Sequence, residues 1–243
     1  LAETEMPRSA KIASWLGKFG PSCALAGILG IQIGVVPPLG GFMFLQLGLL
    51  SAIFSLGFGI TAVIATRGDT DGPGRAAGWL GMASGMVMLS LTIVGAGTGA
   101  GSPPINDITT DVTDPPSFAS AADVPDFEGR DMIYPPDFVE IVKDHYDYLE
   151  PLHVDQHPTS AYEKAIATGQ SLGWEIVHQD PERLMINARE TSFVFKFVDD
   201  IVIRVKPDGS GAILDLRSKS RDGQGDLGAN AERIVEFMLA FVR

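Results

Sequence analysis

Gly40 to Ala65 runs for about 26 residues without an acid or a base. About 20 apolar residues already cross a hydrocarbon core roughly 30 Å thick. Two more stretches, about 19–36 and 79–101, are also free of charge in their interiors. Three segments of this length point to a bilayer; a buried helical hairpin of a soluble protein would not need spanning length. A cleavable signal peptide would leave one short apolar run, not three. The first segment is the shortest, since Pro21 and Pro37-Pro38 bracket it. It is expected to borrow its first turns from Trp15 to Gly20, with Trp15 and Lys18 at the interface.

The bases set the expected orientation. Arg8, Lys11 and Lys18 precede the first segment, Arg67 and Arg75 lie between the second and third, and the connection around Pro37-Pro38-Leu39-Gly40 has none. Positive residues stay cytoplasmic. This predicts a cytoplasmic amino terminus, an external Pro-Pro turn and an exported carboxy-terminal domain. In a Gram-negative cell that domain is periplasmic, held on the inner membrane. The chain opens on Leu1 rather than Met, consistent with a start upstream of it.

Small residues at helix-contact spacing, Gly30/Gly34 and Gly81/Gly85, are expected to let backbones approach. Gln32 and Gln46 are the amides available for bonds across helices. A transport pathway would more often carry an intramembrane acid or base, so the spans read as packing helices. The Gly95–Gly101 glycine run has neither a strand before it nor a Lys-Ser/Thr after it. It reads as the frayed exit of the third helix rather than a phosphate loop.

Net charge is −12, and its distribution is uneven. Residues 1–102 carry a net +1, so the remaining −13 lies beyond them. An acidic balance argues against nucleic acid, because neutralising phosphates needs a basic face. The single cysteine, Cys23, lies in an apolar run, so an intrachain disulfide is excluded, as is cysteine catalysis outside the membrane.

Residues 102–157 are rich in Pro and Asp, with isolated apolar residues such as Ile105, Ile108, Phe118, Phe127 and Tyr134. They read as a strap laid over a domain, with a short helix near Phe138–Tyr148. From 158 onward the pattern is regular. Ser160-Ala-Tyr-Glu163 has the form of a capping box before a helical stripe. Alternating segments follow at Trp174–His178, Arg183–Arg189, Ser192–Val198, Ile201–Lys206 and Gly211–Lys219. Breaks fall at Asp180-Pro181, Asp199-Asp200 and Pro207-Asp208-Gly209, short enough for antiparallel neighbours. Phe193, Phe195 and Phe197 are assigned to the apolar face with Ile186, Ile203 and Leu216. A final helix contributes Ile234, Val235, Met238, Leu239 and Val242. The expected architecture is a three-span α-helical anchor at 1–101, the strap, and an α+β domain at 158–243. Its antiparallel sheet of four or five strands is covered by two helices.

Ile105-Asn-Asp-Ile-Thr-Thr-Asp111 with Asp114-Pro115-Pro116, then Gly173-Trp174, then Asp199-Asp-Ile-Val-Ile-Arg204, then Ser218 to Asn230, form an ordered set of motifs. Together they resemble the domain-of-unknown-function 1499 family over about residues 103–243. The resemblance implies an often membrane-linked exported domain with no established reaction. Lys219 stands where that family usually has Arg, and His153-Val-Asp155-Gln-His157 is a local departure.

Two readings compete for the loop Ser218–Asn230. As an anion site, Arg204, Arg217 and Arg221 would join donors from Ser218 and Ser220, with the following helix adding the positive end of its dipole. As a structural corner, Asp226 caps the helix, Asp222 pairs with Arg221 and Asp200 with Arg204, and Gly223 and Asn230 shape the turn. The corner is the plainer expectation, since capping residues at helix starts are common. His153, Asp155 and His157 alternate as metal ligands can, but a zinc site needs more ligands and supporting partners. His-Glu-x-x-His and Walker motifs are missing. No cofactor, metal or catalytic group is therefore expected. The expected function is an accessory protein docking on a membrane protein complex. The alternative is a binding domain for an anionic small molecule or lipid headgroup.

Overall fold

Pro38 and Pro73 each occupy the first turn of a long apolar helix, where the missing N–H costs no hydrogen bond. In the computed structural model, which describes residues 6–68 and 72–243, the amino-terminal helices are α1 (Arg8–Gln32), α2 (Pro38–Ala65) and α3 (Pro73–Ala96). All three are long and apolar enough to cross a membrane. Glu3, Glu5, Asp69 and Asp71 of the charge count lie outside the described residues. The first helix starts at Arg8, well before the expected segment, and Pro21 lies inside it. Proline removes one backbone bond, which neighbouring turns and helices can tolerate.

The chain divides into two units: Leu1–Gly97 with Phe193–Lys196, and Thr98–Ser192 with Phe197–Arg243. In the first unit, small residues set the helix spacing. A Cβ added to Gly20 would lie 2.9 Å from Gly48 O, and one on Gly81 would lie 2.9 Å from Ala13 Cβ. Gly85 likewise faces Ala52 O at 2.7 Å from such a Cβ. Ser55 Oγ donates to Ala13 O and Gly81 O at 2.9 and 3.0 Å, tying α2 to both neighbours. Gly34 plays no such part. It adopts φ +74° in the turn after α1, with none of the described residues within 4 Å of a Cβ placed on it, so it reverses the chain rather than packing helices. The exit glycines Gly97–Gly101 form a 3-10 turn.

The second unit is a six-stranded antiparallel sheet flanked by helices. Its strands are β1 (Asp107–Thr109), β2 (Leu152–Val154), β3 (Glu175–Asp180), β4 (Met185–Thr191), β5 (Val198–Asp208) and β6 (Gly211–Ser220). Its helices are α4 (Phe138–His145), α5 (Pro158–Ser171) and α6 (Ala229–Phe241). The order is β1-β6-β5-β4-β3, and β2 also pairs with β6. The strap thus supplies β1 against Arg217–Lys219 and β2 against Ala212–Leu214, end to end along one margin of β6. These short strands raise the count above the four or five expected.

Two local expectations are overturned. Ser192–Val198 is not a strand, because its first residues form the loop joining β4 to β5. Asp199 and Asp200 do not break the chain; they lie within β5, paired with Ser220 and Lys219. The capping box also fails to form. Helix α5 begins at Pro158, and His157 Nδ1 accepts from Thr159 N at 3.4 Å, so the preset proline φ starts the helix earlier.

One sheet face buries Ile186, Ile201, Ile203, Val205, Leu214 and Leu216 against α5 and α6. Trp174 stacks on Phe237 at 5.2 Å between ring centres, and Phe241 continues the stripe. Burying each such ring is worth about 1.5–3 kcal/mol. The inward stripe of α6 is Ile234-Phe237-Phe241, whereas Leu239 and Val242 are exposed. Both stripes fit a helical period, and the aromatic one won because its rings fill the space beside Trp174.

Candidate functional site

Strand register decides which side chains can meet. Opposite Val202 stands Arg217, opposite Asp200 stands Lys219, and opposite Arg204 stands Asp215. Because strand side chains alternate, these residues share the polar face while Ser218 and Ser220 point to the helix face. The pleat therefore separates the three arginines from the two hydroxyls that the anion reading joined. A single ligand using both sets would have to reach both sides of one sheet.

On the polar face each arginine already holds carboxylates. Arg204 Nε and Nη2 donate to Asp215 Oδ2 at 3.0 and 2.8 Å, and Nη2 also donates to Asp114 O at 2.6 Å. Arg217 donates to both oxygens of Asp107 at 2.8 and 2.7 Å and to the carbonyls of Pro116 and Met132. Its guanidinium lies 4.8 Å from the Phe118 ring centre and 5.2 Å from that of Tyr134. Arg221 forms a two-pronged pair with Asp200 at 2.8 and 2.7 Å. The pairings expected for the corner are thus exchanged: Asp200 belongs to Arg221, Arg204 belongs to Asp215, and Asp222 is exposed. Register is the reason, since Asp215 faces Arg204 directly and Arg221 reaches Asp200 diagonally.

The strap covers this polar face. Besides the Pro116 and Met132 carbonyls on Arg217, Ala119 N donates to Asn187 Oδ1 at 3.0 Å, and Asp126 pairs with Arg189. Arg189 also holds Glu175 in two bonds. That bonding keeps the Glu175 carboxyl below its ordinary range and raises the Arg189 guanidinium. Hydrogen bonding to Asp200 raises Arg221 in the same way, against its burial. Burial opposes ionisation of Asp111, but N–H bonds from Asp114 and Thr113 and the charge of Lys206 outweigh it, lowering its pKa. Lys206, bonded to Asp215, is raised. Burial and the Asp107 charge push Tyr134 well above the ordinary phenol range.

On the helix face the corner closes around Asn230. Ser218 Oγ donates to Asn230 Oδ1 at 2.6 Å, and Asn230 Nδ2 donates to Ser220 Oγ at 3.0 Å and Asn106 O at 3.2 Å. Asp226 accepts from Gly228 N and Asn230 N at 2.8 and 2.9 Å, capping α6 from outside its first turn. Gly228 itself takes φ +84° at the cap, where a side chain would be strained. Asn106 Nδ2 donates to Gly223 O at 2.8 Å, which fastens the strap to the loop. Arg233, Asn106 and Asp107 were given no role from sequence. Arg233 donates to Ser218, Asn230, Asp199 and Glu190, and its position one helical turn beyond Asn230 was the available signal.

His153, Asp155 and His157 do not converge. His153 Nδ1 lies 3.0 Å from Asp208 Oδ2, and His157 caps α5. Among the described residues, no group of three or more His, Cys, Asp or Glu is placed to hold a metal ion.

A sheet carrying charge pairs under a strap, preceded by three helices of spanning length, defines a membrane-helix-bearing α+β protein. The family model described as "Protein of unknown function (DUF1499)" matches residues 107–241, and the chain belongs to that family. The match begins at Asp107, the carboxylate that holds Arg217. No curated protein matches the chain.

Proposed function

We propose that the protein is a non-catalytic accessory subunit that docks on a basic surface of a membrane protein complex at the inner membrane. In this reading the amino terminus is cytoplasmic and the family domain periplasmic, as the distribution of Arg8, Lys11, Lys18, Arg67 and Arg75 favours. One observation carries the docking role. The strap uses Asp107 and Asp111 inward, yet Asp123, Glu128, Asp131, Asp137, Glu140, Asp144, Asp147 and Glu150 remain exposed along the strap and α4. Exposed Ile133 and Tyr148 lie among these acids. The surface is predominantly acidic, with Arg130 and Lys143 as exposed bases among the acids; with its apolar anchors it suits recognition of a partner of opposite charge.

Affinity purification from solubilised native membranes tests this. A defined complex should co-purify with the full chain, release as salt is raised, and be lost on Asp131→Lys/Asp137→Lys. Recovery of the chain alone, under conditions that keep other membrane complexes intact, would sink the reading.

A further inference from the structure

The segment Phe193–Lys196 belongs to the helical unit, although its flanking residues belong to the sheet unit. Ser192 N donates to Phe197 O at 2.8 Å and Phe197 N to Ser192 Oγ at 2.9 Å, closing a four-residue loop. Phe193 is 83 % exposed and Val194 41 % exposed at its tip. Lys196 takes φ +55°, and its ammonium sits 5.4 Å from the Phe193 ring centre. Exposed apolar residues gathered into a patch, unlike single ones, mark an interaction surface.

Its neighbours within the helical unit supply an occupant. Gln32, the last residue of α1, donates from Nε2 to Phe193 O and Val194 O at 2.9 and 3.0 Å. Phe42, in the second turn of α2, meets Phe195 edge-on at 5.5 Å. Ile33, Val35 and Leu39, which flank the α1–α2 turn, are also exposed apolar residues. We propose that Phe193, Val194 and Lys196 form an interfacial anchor seated in the phospholipid leaflet at the α1–α2 end of the helices. Phe193 and Val194 lie at the headgroup–acyl boundary, and the Lys196 ammonium reaches the phosphates. Continuity with the apolar helix surface points to lipid rather than to a protein partner. Aromatic rings with a neighbouring cation are the composition that interface selects.

The full chain carrying Cys23→Ser and Phe193→Cys is labelled with an environment-sensitive fluorophore in phosphatidylcholine–phosphatidylglycerol vesicles. A label at Glu182→Cys, on the exposed β3–β4 turn, serves as control. The anchor predicts blue-shifted emission at position 193, with at least twofold stronger quenching by nitroxide lipids than at 182 and weaker quenching by iodide. Quenching indistinguishable from the control overturns the proposal. So does protection from both quenchers, which would mean a protein neighbour covers the tip. Because the label could itself drive insertion, Phe193→Ser/Val194→Ser is examined without label. Hydrogen exchange at residues 192–197 should accelerate about tenfold in vesicles while β5 and β6 stay unchanged; equal exchange with the wild type also overturns it.

Discussion

Arg217 and Asp107 meet diagonally across the β1–β6 pairing, and neither reaches solvent, being 2 % and 0 % exposed. A charge pair so deep is costly to desolvate and is held by its geometry and its extra bonds. Removing one partner exposes that cost. Arg217→Met should destabilise the full chain in detergent by about 3–5 kcal/mol, because Asp107 remains buried with only Lys219 beside it. The double change Arg217→Met/Asp107→Leu should recover most of the loss. Denaturant titration followed by near-ultraviolet circular dichroism measures both.

The corner around Asn230 makes a prediction of another kind. Asn230→Ala leaves Ser218, Arg233 and the Asn106 carbonyl without a partner they now have. An unsatisfied buried group costs about 1–3 kcal/mol. Asp226→Ala loses only a cap, worth about 0.5–2 kcal/mol. Asn230→Ala should therefore be the more damaging of the two by the same titration.

Strap docking should depend on pH at both extremes. Asp111 has a folded pKa below its ordinary 3.8, so its contribution is complete above that value and fades as pH falls through the lowered one. Lys206 has a folded pKa above its ordinary 10.5, so its contribution is complete below that value and fades as pH rises through the raised one. Protection of the amides at residues 111–119, taken relative to their intrinsic base-catalysed exchange rate at each pH, should be greatest between these limits. Lys206→Met should remove the alkaline loss of protection.

In the helical unit, Gly20→Val should separate α1 from α2, because the new Cβ would press on the Gly48 carbonyl, a backbone atom that cannot swing aside. Overpacking of this kind costs about 1–3 kcal/mol. A lowered unfolding temperature in detergent, with the sheet unit's exchange pattern intact, is the expected outcome.

The three spans were legible because a run without charges needs no tertiary information, and the cores of β5 and β6 were legible because Ile201-Ile203-Val205 and Leu214-Leu216 alternate cleanly. Alternation also read the Phe193–Phe197 loop as strand, although that segment turns back at Lys196 with a positive φ. The corner's residues were legible, but the pairings read for its arginines, Asp222 with Arg221 and Asp200 with Arg204, are not the ones that form. Which carboxylate meets which arginine follows from the β5–β6 register, and a one-residue slip would exchange every pair. The roof over the polar face was legible only as a Pro-rich strap, because several of its contacts run through carbonyls such as those of Asp114, Pro116 and Met132. Carbonyls are present at every residue and leave no mark in a sequence.

Because β1 and β2 run end to end along the margin of β6, the strap occupies the place where a foreign strand could be added to the sheet. The opposite margin, β3, carries an irregularity between Ile176 and His178, which makes it a poor template for a long ladder. Main-chain recruitment is thereby disfavoured on both flanks. A partner of the kind proposed would therefore recognise the domain by side chains rather than by an added strand.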